Sequence, residues 1–210
     1  MPLPFSTEAM EHLMAADPVM EAIVERVGPL DPEARTRGRP DDSYGALVRS
    51  ITGQQLSVKA ARTIYLRLAD LYGGRTPTPA ELIATDPDEL RGVGLSYQKA
   101  AYLRDLAERI ESGELAPERF PELEDREVSE MLTAVKGVGQ WTADVFMMFH
   151  LGREDVLPVG DLGIRKAAEV EYRLRKLPSP DRLKRLARPW RPYRTLACVY
   201  LWESLDNAPG

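Results

Sequence analysis

Leu132-Thr133-Ala134-Val135-Lys136-Gly137-Val138-Gly139-Gln140-Trp141-Thr142-Ala143 reads as the end of one helix, a Gly-x-Gly turn and the start of another. Val128 to Val135 carries a helical pattern up to the turn, and Trp141 to Met148 resumes it. The second helix begins after Gly139 with no Ser, Thr, Asp or Asn in the capping position. Its first N–H groups therefore lack a local side-chain acceptor. Amides at the positive end of a helix suit an anion, and glycine lets a phosphate come close to the backbone. A tight interhelical turn with no ligand is the other reading of the same residues.

The flanking sequence is helical throughout. Tyr44, Leu47, Val48 and Ile51 fall at i, i+3, i+4, i+7, with Gly53 as a stop and Ser57 as a new N-cap. Val58 to Leu68 forms the next helix, ended by Gly73-Gly74. A short helix is expected over about 79–85, and Asp86-Pro87 opens another as cap and first-turn proline. Ala100, Leu103, Ala107 and Ile110 share one helical face. Asp161 to Arg175 is helical by pattern, and a last helix runs from Pro192 to about Ser204. Gly28 to Pro40 is linker-like. Arg91-Gly92-Val93-Gly94 echoes Lys136-Gly137-Val138-Gly139, too short an echo to be a repeat.

Composition narrows the function classes. The 210 residues are 43% hydrophobic and 29% charged, ordinary for a globular chain and too apolar for disorder. No apolar run approaches the roughly 18 residues of a membrane span. Met1 to Ala16 carries Glu8 and Glu11 and no basic segment, so no signal peptide is expected. Cys198 stands alone, which excludes an internal disulfide and a four-thiolate iron–sulfur cluster and fits a cytoplasmic location. His12 and His150 have no metal-ligand spacing, so no zinc site is expected.

The net charge of −5 argues against nucleic acid, but it is an average. Residues 132–202 hold 13 Lys/Arg and 7 Asp/Glu, a net +6; the remainder holds 15 and 26, a net −11. The basic segment is either a polyanion-facing side or a solvated helix face.

The hairpin segment resembles the helix-hairpin-helix of the DNA glycosylases that pair this motif with a Gly/Pro-rich loop and an essential aspartate. Val156-Leu157-Pro158-Val159-Gly160-Asp161-Leu162-Gly163-Ile164-Arg165 resembles that loop, with Asp161 22 residues beyond Gly139. Ser50-Ile51-Thr52-Gly53-Gln54-Gln55-Leu56-Ser57 resembles the glutamine-bearing interhelical turn of the family. Gly94-Leu95-Ser96-Tyr97-Gln98-Lys99-Ala100 resembles a helix start of the alkylation-repair branch. Arg188-Pro189-Trp190-Arg191-Pro192-Tyr193 with Tyr200-Leu201-Trp202 resembles the C-terminal helix of bacterial 3-methyladenine DNA glycosylase II. The similarity spans about residues 40–205.

The resemblance implies an all-α fold of two helical lobes with a cleft between them. Residues 1–40 would be N-terminal helices and a linker packed on the C-terminal lobe. Residues 41–130 would carry the DNA-inserting turn, and residues 131–210 the hairpin and the catalytic aspartate. It implies flipping of an alkylated base of the 3-methyladenine type out of double-stranded DNA and hydrolysis of its N-glycosidic bond by a monomer acting at the nucleoid. No cofactor is required. Asp161 matches the catalytic carboxylate; by position alone it is also an ordinary helix N-cap, and the two roles can coexist. Trp141 and Trp202 match base-pocket positions, with Val145 and Leu162 beside them, whereas Trp190 reads as core. Trp141 stands where bifunctional relatives carry a lysine nucleophile, so no strand-cleaving lyase activity is expected. Gly137, Val138, Gly139, Gln140 and Thr142 would meet DNA at the hairpin, and Gln54, Gln55 and Leu56 at the inserting turn.

Arg165, Lys166 and Arg191 read either as phosphate contacts or as a salt-bridged face. The backbone carbonyls of Thr133, Val135 and Val138 match positions that hold Na+ or K+ in relatives. Four positions depart from the family pattern: Lys136 for proline, Asp144 for asparagine, and Val145 and Leu162 for aromatic residues. A pocket thinned in this way also fits a non-catalytic protein that binds or senses damaged DNA.

Overall fold

The computed structural model describes residues 5–33, 38 and 40–206. Part of the linker-like stretch, residues 34–37 and 39, lies outside them. The described residues form twelve α-helices and one 3-10 turn, and they include no strand. None of these helices is long and apolar enough to cross a membrane. Contacts divide the chain into two compact units, residues 38–146 and residues 1–37 with 147–210.

In the first unit, side-chain caps set the helix starts. Asp42 accepts the Gly45 N–H at 2.7 Å and opens α3 (Ser43–Gly53). Ser57 opens α4 (Val58–Asp70), and Thr78 with Glu81 forms a capping box at α5 (Pro79–Ala84). Asp86 caps α6 (Pro87–Gly92), and Ser96 caps α7 (Tyr97–Glu111). The 3-10 turn spans Pro117–Glu122 and is followed by α8 (Asp125–Thr133). Leu47, Val48, Ile51, Leu82, Leu103 and Leu106 line the shared core of α3, α5 and α7. Each fully buried aliphatic side chain of this kind contributes about 1.5–3 kcal/mol. Phe120 meets Phe146 edge to face at 5.9 Å.

The hairpin belongs to this unit. The chain leaves it within α9 (Gln140–Phe149), so the division falls between residues 146 and 147 rather than at the expected 130/131. The cause lies in the turn's partners. Val135 and Val138 are buried, the Lys136 N–H donates to Asp105 of α7, and the Gln54 side chain donates to the Gly137 carbonyl. Asp161 belongs to the other unit.

That second unit joins α1 (Thr7–Ala16) and α2 (Pro18–Val27) to α10 (Leu162–Glu171), α11 (Pro180–Leu186) and α12 (Arg194–Asp206). α12 packs against α1, α2 and α10. Leu196 to Leu201 is buried without interruption, Cys198 included. Trp190 is fully buried, as its core assignment requires. Asp17 ties the pieces together. One carboxylate oxygen accepts the Val19 N–H at 2.9 Å and caps α2. The other accepts the Tyr172 hydroxyl at 2.6 Å and the Trp190 indole N–H at 2.9 Å.

Two local readings change. α10 stops at Glu171, not at Arg175. Arg173 turns left-handed at φ 48°, and the Leu174 N–H reaches back to the Glu169 carbonyl at 2.9 Å, closing the helix without a glycine. The two Gly-x-Gly stretches also differ in shape. The left-handed residue is the second glycine, Gly94, in one and the first, Gly137, in the other.

Replacing Asp17 by Ala strands the Trp190 N–H and the Tyr172 hydroxyl. The expected loss is about 3 kcal/mol of unfolding free energy, read as a lower urea midpoint with unchanged slope.

Candidate active site and nucleic-acid interface

Asp161 is the N-cap of α10. Its Oδ1 accepts the Ile164 N–H at 2.7 Å and, from α12, the Trp202 indole N–H at 3.0 Å. The carboxylate is nearly buried, and its own N–H donates to the Pro158 carbonyl at 2.9 Å, which holds the Pro/Gly loop against it. Gly163 makes the pairing possible. A Cβ there would lie 3.1 Å from Asp161 Oδ1 and 3.2 Å from the Trp202 ring. Trp202 is half-buried and stacks at a tilt on Phe149, 5.9 Å between centroids. Leu162, the next residue of the loop, is 65% exposed. The oxygen of Asp161 that caps α10 is thus also the acceptor of the Trp202 indole, and two fixed donors orient the carboxylate.

Basic residues near this loop are largely engaged. Arg165 Nε donates to the Pro178 carbonyl at 2.8 Å. Lys166 pairs with Glu169 at 2.6 Å, and Arg191 pairs with Asp155 at 2.9 Å. For Lys166 and Arg191, whose side chains are exposed, the salt-bridged face is the reading the geometry favours.

In the other unit, the hairpin turns on Gly137. Its φ is +79°, and a Cβ would fall 2.1 Å from the Tyr102 ring. Gly139 is different. Nothing lies within 4 Å of a Cβ there, and its carbonyl accepts the Ala143 N–H at 3.1 Å, so it takes the N-cap position of α9 without a side chain of its own. Lys136, which replaces the family's proline, uses the N–H that proline lacks. That N–H donates to Asp105 Oδ2 at 2.9 Å, and Lys136 Nζ pairs with Oδ1 at 3.0 Å. Burial pushes the Asp105 carboxyl up, but the Lys136 N–H, Arg109 and the Lys136 ammonium outweigh it and hold it below its ordinary value. Asp144, in place of asparagine, is buried, and burial raises its carboxyl against the Gln140 amide that donates to it at 2.8 Å.

The Gln54–Leu56 turn is bound to the hairpin. Gln54 Nε2 donates to the Gly137 carbonyl at 2.9 Å. Gln55 is exposed and left-handed at φ 58°, a conformation uncommon for a side-chain-bearing residue, and Leu56 beside it is exposed. Gln54, Gln55, Lys99, Tyr102, Trp141 and Thr142 border a cavity of about 340 Å³. Trp141 stands half exposed at its edge, whereas Thr142 and Val138 are buried and Val145 is half-buried one turn further along α9. The structure thus brings together Gln54, Gln55, Gly137, Trp141 and Thr142, and separately Asp161, Leu162 and Trp202. Asp105, Tyr102 and Gly163 are residues the sequence reading passed over. The local signal for Asp105 is a carboxylate set among Leu103, Leu106 and Ala107 on α7, where a buried charge needs a partner.

Residues 48–192 match the HhH-GPD superfamily of base excision DNA repair proteins. The chain is 34% identical over 201 residues to DNA-3-methyladenine glycosylase 1 of Schizosaccharomyces pombe, covering 94% of this chain and 87% of that one. A structure of an S. pombe 3-methyladenine DNA glycosylase in complex with abasic DNA superposes with a TM-score of 0.84 at 33% identity, over 97% of this chain and 100% of that chain. A DNA-3-methyladenine glycosidase of Bacillus halodurans superposes at 0.83 with 38% identity, over 95% and 89%.

Gly137→Ala is expected to cost about 3 kcal/mol through the Tyr102 clash and the left-handed backbone, whereas Gly139→Ala shifts stability by less than about 1 kcal/mol; paired denaturant titrations compare them. Asp144→Asn is expected to raise the unfolding midpoint at pH 7. The folded-state value of Asp144 lies above the unfolded one, so the charged form is penalised at neutral pH. The advantage of the asparagine shrinks as pH falls through the raised value, and thermal scans from pH 7 to pH 3 follow it.

Proposed function

Because the chain belongs to the HhH-GPD superfamily of base excision DNA repair proteins, we propose that it is a monofunctional DNA glycosylase that removes alkylated bases of the 3-methyladenine type from double-stranded DNA. The observation that carries this reading is the Asp161 carboxylate, oriented on one oxygen by the Ile164 N–H and the Trp202 indole. Reaching C1′ requires the damaged nucleotide to leave the base stack. As the C1′–N bond breaks, its electron pair goes to the base, and the sugar becomes oxocarbenium-like. A fixed carboxylate stabilises that charge and accepts a proton from the water whose oxygen bonds to C1′. A base made cationic by alkylation leaves neutral, so a second carboxyl acting as acid is unnecessary. The faces of Trp141 and Trp202 suit such an electron-poor base by stacking and cation–π attraction. Trp141 offers no amine at the position where bifunctional relatives carry a lysine nucleophile, and the expected product is an intact strand with an abasic sugar.

The hairpin amides behind Gly139 and the Gln54–Leu56 turn would hold the duplex, Gln55 facing the orphaned partner base. The neutral carbonyl oxygens of Thr133, Val135 and Val138 are the hard donors that Na+ or K+ takes; the Val135 carbonyl also accepts the Val138 N–H at 3.1 Å and keeps a second lone pair. Such an ion would add positive charge at the hairpin, and no step of the hydrolysis passes through it. The protein would act as a monomer on cytoplasmic, nucleoid-associated DNA.

The test is release of 3-methyladenine from methylated duplex, measured chromatographically. Wild-type protein releases it with turnover, and Asp161→Asn loses at least about a thousandfold in rate while duplex affinity changes by less than about threefold, the signature of an interaction made in the transition state. Binding without release by the wild type would make the chain a damage-binding protein instead.

A further inference from the structure

Lys99 has no role in the reaction above, yet its surroundings are unusual. It lies in the first turn of α7, where burial lowers its ammonium from the ordinary lysine value. The ammonium points at backbone. Nζ donates to the Thr52 carbonyl at 2.8 Å and to the Gln54 carbonyl at 2.7 Å. Both carbonyls lie at the C-terminal end of α3, the negative end of the helix, where a cation is favoured. The next residue is Gln55, left-handed at φ 58°. On the other side, the Gln54 amide is fixed to the Gly137 carbonyl. A lysine so placed is committed to the turn and not to a phosphate.

We infer that Lys99 is a positioning residue for the DNA-inserting turn: by gripping the Thr52 and Gln54 carbonyls it holds Gln55 in the bend from which that side chain enters a duplex as a base is withdrawn. The inference rests on the glycosylase reading. Without the two bonds the turn relaxes toward the right-handed conformations that glutamine prefers, and Gln55 leaves the insertion geometry. The chemistry at Asp161 is untouched. Lys99 therefore matters when a stacked, paired base must be extruded and little when the base is already unpaired.

Two measurements on the full chain test this. The first compares release of 3-methyladenine from one preparation of methylated DNA, annealed or single-stranded. Lys99→Met is expected to slow release from the duplex about tenfold and from single strands less than about twofold, in keeping with the effect of a small misplacement. Lys99→Arg, which keeps charge and donors, recovers part of the duplex rate. Equal losses on both substrates, or no loss on either, overturn the inference. The second needs no catalysis. A duplex with 2-aminopurine opposite an abasic-site analogue reports disturbance of the orphaned base by fluorescence. At saturating protein, Lys99→Met is expected to give less than about half the wild-type change, and a full-size change refutes the proposal. Thermal midpoints of both variants separate this from loss of fold. Absence of release by the wild type counts against the glycosylase reading, and the fluorescence signal then decides the role of Lys99.

Discussion

The Asp17 carboxylate takes three donors from three parts of the chain: the Val19 amide, the Tyr172 hydroxyl and the Trp190 indole. A buried carboxylate is tolerated only when its lone pairs are filled by well-placed donors. That demand makes the site selective, because only one arrangement of α2, the end of α10 and the approach to α12 satisfies it. α10 begins with Asp161 and α12 carries Trp202, so the clamp at one end of these helices fixes the spacing of the pair at the other. The Asp161 carboxylate is positioned by the satisfaction of another carboxylate, that of Asp17.

The other unit repeats the chemistry. Asp105 takes the Lys136 amide, the Lys136 ammonium and the Arg109 guanidinium, and so anchors the hairpin to α7. Relatives with proline at this turn gain a preset φ but have no N–H to offer. Here the rigidity comes from a charge-assisted bond, backed by the Tyr102 ring against Gly137. Two different means restrict the same turn.

Some helix starts were legible in the sequence from a single capping residue, whereas α11, capped by Ser179 with Pro180 at its first position, was not. Ser57, Asp86 and Asp161 each accept the amide that their position implies. The hairpin was legible as well, because glycine without a capping side chain leaves a local signature. What was hidden depends on residues far apart in the chain. Asp105 meets Lys136 across 31 positions and Lys99 meets Thr52 across 47, and no window of local pattern spans those distances. The left-handed Arg173 that shortens α10 carries no glycine to announce it. The division after residue 146 follows from the same tertiary bonds, which bind the hairpin to α7 and the Gln54 turn. The charge asymmetry was visible too, but not that Lys166 and Arg191 pair with Glu169 and Asp155, two of the carboxylates already counted in the net charge of that segment.

Gly163 has an evolutionary consequence. Its missing side chain is what lets the Trp202 indole reach Asp161, and a single methyl group would press on both partners at 3.1–3.2 Å. The position lies on the first turn of α10, where added bulk disturbs the reactive pair before it disturbs the core. Sequence drift at this position therefore falls first on the spacing between one carboxylate and one indole.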